Sequence, residues 1–163
     1  MMLIEKDFRK FSPRDYLNEY YLSINSENEH LLKFLSKTYK RIDFKDRLIE
    51  IGGGPTIYQL ISASSKVKEI TFSDFNKNNL AELTKWLKND AEAFDWDNYF
   101  KFILELEKKK VAKENLKQIK NRLRNKIKEI TRCDIRKQNP LAPKTFKNFD
   151  IASVCFCPES ITN

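Results

Sequence analysis

The sequence predicts an α/β fold, a mostly parallel sheet of strand order near 3-2-1-4 with helices ahead of it. Three observations carry that reading. Short β-branched or aromatic runs alternate with stretches whose apolar residues recur every three or four positions, the pattern of strands joined by crossover helices. The first run stops at Gly52-Gly53-Gly54-Pro55, a tight turn between strand and helix. The second run is β-branched and aromatic and closes on Ser73-Asp74, with a helix cap two residues on at Asn76. Right-handed crossovers between parallel neighbours then limit the strand order.

Along the chain, Ser12-Pro13 ahead of Asp15 reads as an N-cap with proline at the first helical position, opening a short helix with Tyr16, Leu17, Tyr20 and Tyr21. Ser26 and Glu29 form a capping box before Leu31, Leu32, Phe34, Leu35 and Tyr39. Arg47 to Ile51 is the first strand, and Ile57, Leu60 and Ile61 place a helix after the glycine turn. Val67 to Phe72 is the second strand, and Asn76 caps a helix whose apolar face is Leu80, Leu83, Trp86 and Leu87. Ala91 to Tyr99 breaks the periodicity and reads as a loop, followed by a helix from Phe100. Leu116, Ile119, Leu123, Ile127 and Ile130 then mark a long amphipathic helix. Thr131 to Ile135 is expected as a third strand. After a loop over Asn139 to Asn148, Asp150 to Phe156 is expected as a fourth, ended by Pro158.

Composition bounds the function. The 163 residues, 40% apolar with only 3 Gly and 5 Pro, suit one folded domain over 1–163 and exclude collagen-like or low-complexity classes. No apolar run approaches the roughly 20 residues of a membrane span, and the opening Met1 to Lys6 is charged too early for a secretory signal. A soluble, cytoplasmic protein is expected. Cys133, Cys155 and Cys157 have neither the number nor the spacing of a disulfide framework or a zinc site, so no metal is expected. The net charge of +8 raises nucleic acid as a partner. Its largest block, Lys108 to Lys128, occupies the polar positions left by the apolar stripe of one expected helix, where solvated charges belong, and Glu105, Glu107, Glu114 and Glu129 dilute it. A nucleic-acid-binding or RNA-methylating protein is therefore the weaker reading.

Chemistry concentrates at the strand ends. Glycines at 52–54 let the backbone turn sharply and approach a ligand, and Glu50 beside them puts negative charge where an ammonium group, not a pyrophosphate, would sit. Asp74 lies at the spacing from Gly54 at which a carboxylate reaches ribose hydroxyls. Asp134, after the third strand, can accept from an adenine amino group at the same rim. His30 sits on an amphipathic helix and carries no catalytic pattern.

Ser12 to Tyr21 (SPRDYLNEYY) and Leu48 to Leu60 (LIEIGGGPTIYQL) resemble the nicotinamide, phenylethanolamine, indolethylamine and thioether methyltransferase family. Ser73-Asp74-Phe75, Asn78-Asn79-Leu80, Glu82-Leu83, Lys85-Trp86-Leu87, Ala93 to Trp96 and Cys133-Asp134 continue the resemblance in order, from about Asp7 to the last residue. It implies a Rossmann-like fold that binds S-adenosylmethionine (SAM), leaves S-adenosylhomocysteine (SAH) as product and serves methyl transfer to a small-molecule amine or pyridine. It further implies that Tyr16 and Tyr21 cover the cofactor, that Gly52, Gly53 and Gly54 approach its methionine part, that Thr56 and Tyr58 line the same pocket, that Asp74 and Asn79 hold the ribose, and that Asp134 and Ile135 lie beside adenine. Glu50 stands where the family favours aspartate, Gly53 where serine is common, and Cys155 where a small hydroxyl residue often contacts cofactor.

Family members continue beyond the stretch that matches this chain, and that continuation carries most acceptor-recognising residues. The chain is thus expected to hold the cofactor half of the fold. An apolar fourth strand would present an uncovered edge, so a second chain, self-association or an inactive fragment with a regulatory role are the expectations that go with it.

Overall fold

A computed structural model describes residues 11–146 and 148–158. The sequence readings at residues 1–10 and 159–163, including the charged opening and the ends of the resemblance, lie outside the described residues. Helix α1, Pro13–Tyr20, starts as expected: the Ser12 hydroxyl accepts from the Asp15 N–H at 3.3 Å, with proline in the first turn. Helix α2, Ser26–Arg41, is capped one residue earlier than expected. Asn25, in extended backbone, accepts from the Asn28 N–H at 2.8 Å, which makes Ser26 the first helical residue instead of the cap.

Strand β1, Lys45–Ile51, leads into the glycine turn. The helix expected next is instead two 3-10 turns, Tyr58–Leu60 and Ala63–Ser65. The Ser64 and Ser65 hydroxyls donate to carbonyls three residues back, Ile61 O at 2.6 Å and Ser62 O at 2.9 Å, and such local bonds compete with α-helical pairing. Strand β2, Val67–Asp74, and helix α3, Lys77–Leu87, follow as read, with the Asn76 side chain accepting from the Asn78 N–H at 2.9 Å. Helix α4, Asp97–Leu106, begins inside the expected loop, whose Phe94 and Trp96 are buried in the core.

Helix α5, Lys113–Lys126, ends earlier than expected, and strand β3 occupies Ile127–Arg132, displacing the expected strand at 131–135 towards the N-terminus. Ile127 pairs with Ile70 and Ile130 with Phe72, across a register shift between Ile70 and Thr71. That irregularity lets a spacing of three, which imitates a helix, serve a strand. Strand β4, Ile151–Val154, is shorter than the apolar run: Asp150 at its start accepts from the Asp46 and Arg47 N–H groups, and Phe156 beyond it has a left-handed φ of 56°. The sheet order is β3-β2-β1-β4 with every pair parallel, as expected. Val154 and Phe156 are exposed at the β4 edge.

The basic helix α5 is turned into the body at several points. Arg122 donates to the Ser64 hydroxyl at 2.9 Å, Arg124 donates to the Trp86 carbonyl at 3.1 Å and lies over the Trp86 ring, and Lys120 pairs with Asp97. Trp86 in turn stacks on Phe100, fixing α3 against α4. Among the described residues no helix is long and apolar enough to cross a membrane.

Candidate functional site

Because the strands are parallel, their carboxyl ends share one rim, and the turns that follow them converge there. The glycine turn after β1 is shaped chiefly by the protein itself. A Cβ on Gly52 would stand 2.1 Å from the Cys157 sulfur, and one on Gly53 would stand 2.3 Å from the Phe72 ring. At these two positions the missing Cβ also makes room for Cys157 and Phe72. Gly54 differs: its φ is +63° and its missing Cβ faces open space. Gly53 N–H donates to Ser73 O at 3.1 Å, Gly54 N–H to Asp74 Oδ2 at 2.9 Å, and the Thr56 hydroxyl to Gly53 O at 2.8 Å. The turn is thus tied to the end of β2 from both sides.

Glu50 overturns one expectation. It is 0% exposed and lies behind the turn, outside the cleft, where Gln59 Nε2 donates to its Oε1 at 3.2 Å. Burial pushes its carboxyl up to about 8, so near neutrality it is largely protonated and offers the cleft no fixed charge. Both faces of β1 are covered at this position, which the sequence of the strand alone does not reveal.

Every site residue proposed from the sequence lines one cleft of about 240 Å³: Tyr16, Tyr21, Gly52, Gly53, Gly54, Thr56, Tyr58, Asp74, Asn79, Asp134 and Ile135. Asp74 is buried and already accepts from Gly54 N–H, Asn76 N–H at 2.7 Å and Asn79 Nδ2 at 3.0 Å. Burial raises its carboxyl above the usual range against these bonds, which lower it. Asn79 Oδ1, in contrast, is a buried acceptor with no partner among the described residues. Tyr21 stacks obliquely on Tyr58 and Trp96, and its hydroxyl lies 3.3 Å from that of Tyr16. Burial raises Tyr21 and Tyr58 well above the ordinary phenol range, so both are neutral.

At the far end, Arg136 Nε and NH2 both donate to the Asp134 carboxylate, at 2.8 and 2.9 Å, and hold it below its ordinary range. Sequence reading missed Phe75 and Arg136, which also line the cleft; Arg132 and Arg136 lie over the Phe75 ring at 4.6 and 4.7 Å. The signal was present as an aromatic directly after Asp74 and an arginine two positions after Asp134. Phe11, Cys133, Cys155 and Cys157 complete parts of the wall. His30 is exposed on α2, away from the cleft. Among the described residues no group of three His, Cys, Asp or Glu side chains is arranged to hold a metal.

Comparison with known proteins agrees in kind. The NNMT/PNMT/TEMT family model matches residues 1–163. Nicotinamide N-methyltransferase of Homo sapiens is 38% identical over 161 residues, covering 91% of this chain and 60% of that protein. Indolethylamine N-methyltransferase of Oryctolagus cuniculus is 39% identical with the same coverage, and phenylethanolamine N-methyltransferase of Macaca mulatta is 31% identical, covering 95% of this chain and 57% of its own length. The chain therefore spans about 60% of the length of such relatives. A family match running through all the residues that form the cleft, in a sheet of order β3-β2-β1-β4, means that the chain belongs to the NNMT/PNMT/TEMT family.

Proposed function

We propose that this chain binds SAM in the cleft at the carboxyl ends of β1, β2 and β3 and serves methyl transfer to a small-molecule amine or pyridine nitrogen, leaving SAH. The observation that carries this is that Asn79 Oδ1, a buried acceptor without a partner among the described residues, lies beside the Asp74 carboxylate to which Asn79 Nδ2 donates. A buried acceptor left unsatisfied costs stability, and two adjacent acceptors at a strand end fit the vicinal hydroxyls of a ribose. The residues present fit the rest of the group as well. Ile135 and Phe75 offer apolar surface for a base, and the open face at Gly54 leaves room for the amino-acid portion.

The bound cofactor would supply a methyl group already activated on a sulfonium, so the protein's task is alignment. Asp74 and Asn79 would fix the ribose, the Gly52–Gly54 turn would seat the methionine part, and Tyr16, Tyr21 and Tyr58 would form a neutral aromatic wall that excludes water. None of these roles requires a side chain to take a proton from carbon or to attack the substrate. The acceptor nitrogens named for the relatives, in nicotinamide, indolethylamine and phenylethanolamine, support the acceptor class. A single unit over 1–163, with the β4 edge covered by further protein, and a reducing, cytoplasmic setting for three thiols around one cleft belong to the same reading. Titration calorimetry with SAH tests it: saturable one-to-one binding by the 163-residue chain is expected, and no heat of binding at any accessible concentration would sink it.

A further inference from the structure

We propose that Arg14 is the positioning residue that holds helix α1, and with it Tyr16, over the cleft, acting through its ion pair with Glu82. The inference rests on the cofactor site proposed above. Arg14 NH2 donates to both Glu82 Oε1 and the Glu92 carbonyl, and its guanidinium lies 6.0 Å from the centre of the Phe94 ring. Glu82 is 7% exposed and Arg14 36%, so the pair is partly shielded from water. Lys85, the other cation near Glu82 at 3.7 Å, belongs to α3 itself and ties it to nothing on α1.

The two helices present complementary faces. On α3, Asn79 and Glu82 are both buried and stand three residues apart, neighbours on one face, so whatever grips Glu82 grips the helix that presents the orphan Asn79 oxygen. On α1, Arg14 and the buried Leu17 share the inward face by the same spacing. Tyr16 needs such support. Among the described residues its ring contacts, with Phe11, Tyr20 and Tyr21, lie in its own segment, and Tyr21 carries the contact onward to Tyr58 and Trp96. A helix of eight residues is marginal without tertiary ties.

The test uses the full chain and SAH as probe. Arg14→Ala is made alone and together with Glu82→Gln, which keeps the variant folded by removing the stranded buried charge; Arg14→Lys keeps the cation. Without ligand, amide exchange across residues 14–21 should speed up in the alanine variants while β1 and β2 exchange as in the wild type. With ligand, SAH dissociation should rise about tenfold with association little changed, and Arg14→Lys should recover part of the loss. In a Tyr16→Ala background the Arg14 substitution should add less than about twofold, because Arg14 acts through Tyr16. Unchanged exchange in α1, or an equally large effect without Tyr16, would overturn the assignment. A wild type that binds SAH while the Arg14 variants behave normally overturns Arg14 alone. Faster α1 exchange in the alanine variants, with a wild type that binds no SAH, overturns the cofactor site, and Arg14's role with it.

Discussion

Asp74 accepts three N–H groups from the protein itself, two of them backbone amides of the turns on either side of it. Its first role is to join the glycine turn to the start of α3, and a ribose would add to that role. Asn79 has the opposite balance, since its amide nitrogen is engaged and its oxygen has no partner among the described residues. The two substitutions should therefore separate. Asn79→Ala should weaken SAH binding by about 1–2 kcal/mol with the melting temperature nearly kept, whereas Asp74→Ala should cost both affinity and about 1–3 kcal/mol of folding stability by leaving buried amides unpaired. Calorimetry and thermal denaturation on the same samples check this, and equal losses of stability would contradict it. Glu50 supplies a pH signature. Its carboxyl moves from an ordinary 4.5 to about 8 because burial disfavours the charge. Below the lower value folded and unfolded chains both hold the proton; between the two only the folded chain does, so this contribution to stability is lost as pH rises through about 8. Glu50→Gln should therefore lose less melting temperature than the wild type between about pH 6 and about pH 9. Parallel profiles would mean that Glu50 is ionised throughout. The sequence displayed the acid at a strand end but not the Gln59 side chain that closes over it.

At the scale of elements, the boundaries turned on single side chains. Asn25 and Ser26 are both good caps, and backbone geometry selected Asn25, whose φ and ψ are extended. Asn25→Ala should cost about 1 kcal/mol, while Ser26→Ala should stay within about 0.5 kcal/mol; chemical denaturation distinguishes them, and the reverse order would restore the capping box. The change from α5 to β3 at Lys126 was hidden because Ile127 and Ile130 continue the helical stripe, and pairing with Ile70 and Phe72 decided it. Helix α1 was legible from Ser12 and Pro13, and its contribution to the cleft through Tyr16 follows from where it docks. Exchange across residues 13–21 should slow when SAH is added. Unchanged protection there with ligand bound would remove α1 from the closing of the cleft.

For the whole molecule, the net charge of +8 and the cleft make separate claims on a partner. Lys120, Arg122 and Arg124 are spent on Asp97, Ser64 and Trp86, and so do not form an open basic face. SAH carries no net charge, so its affinity should change little between about 50 and about 200 mM salt, whereas binding governed by phosphate contacts would fall by orders of magnitude over that range. A steep salt slope for RNA at an affinity tighter than that for SAH would favour the nucleic-acid reading. By itself the sequence determined the strand order of the sheet, most of the succession of strands and helices, and many of the residues that line the cleft, because apolar spacing, turn residues and the family resemblance of SPRDYLNEYY and LIEIGGGPTIYQL are all carried by neighbouring positions. Only the tertiary structure decided that Glu50 lies behind the turn, that Gly52 and Gly53 make room for Cys157 and Phe72, that α5 gives way to a strand at Ile127, and that Arg14 reaches Glu82. Each of those outcomes depends on burial and pairing by residues distant in the chain, and neither local propensity nor periodicity contains that information.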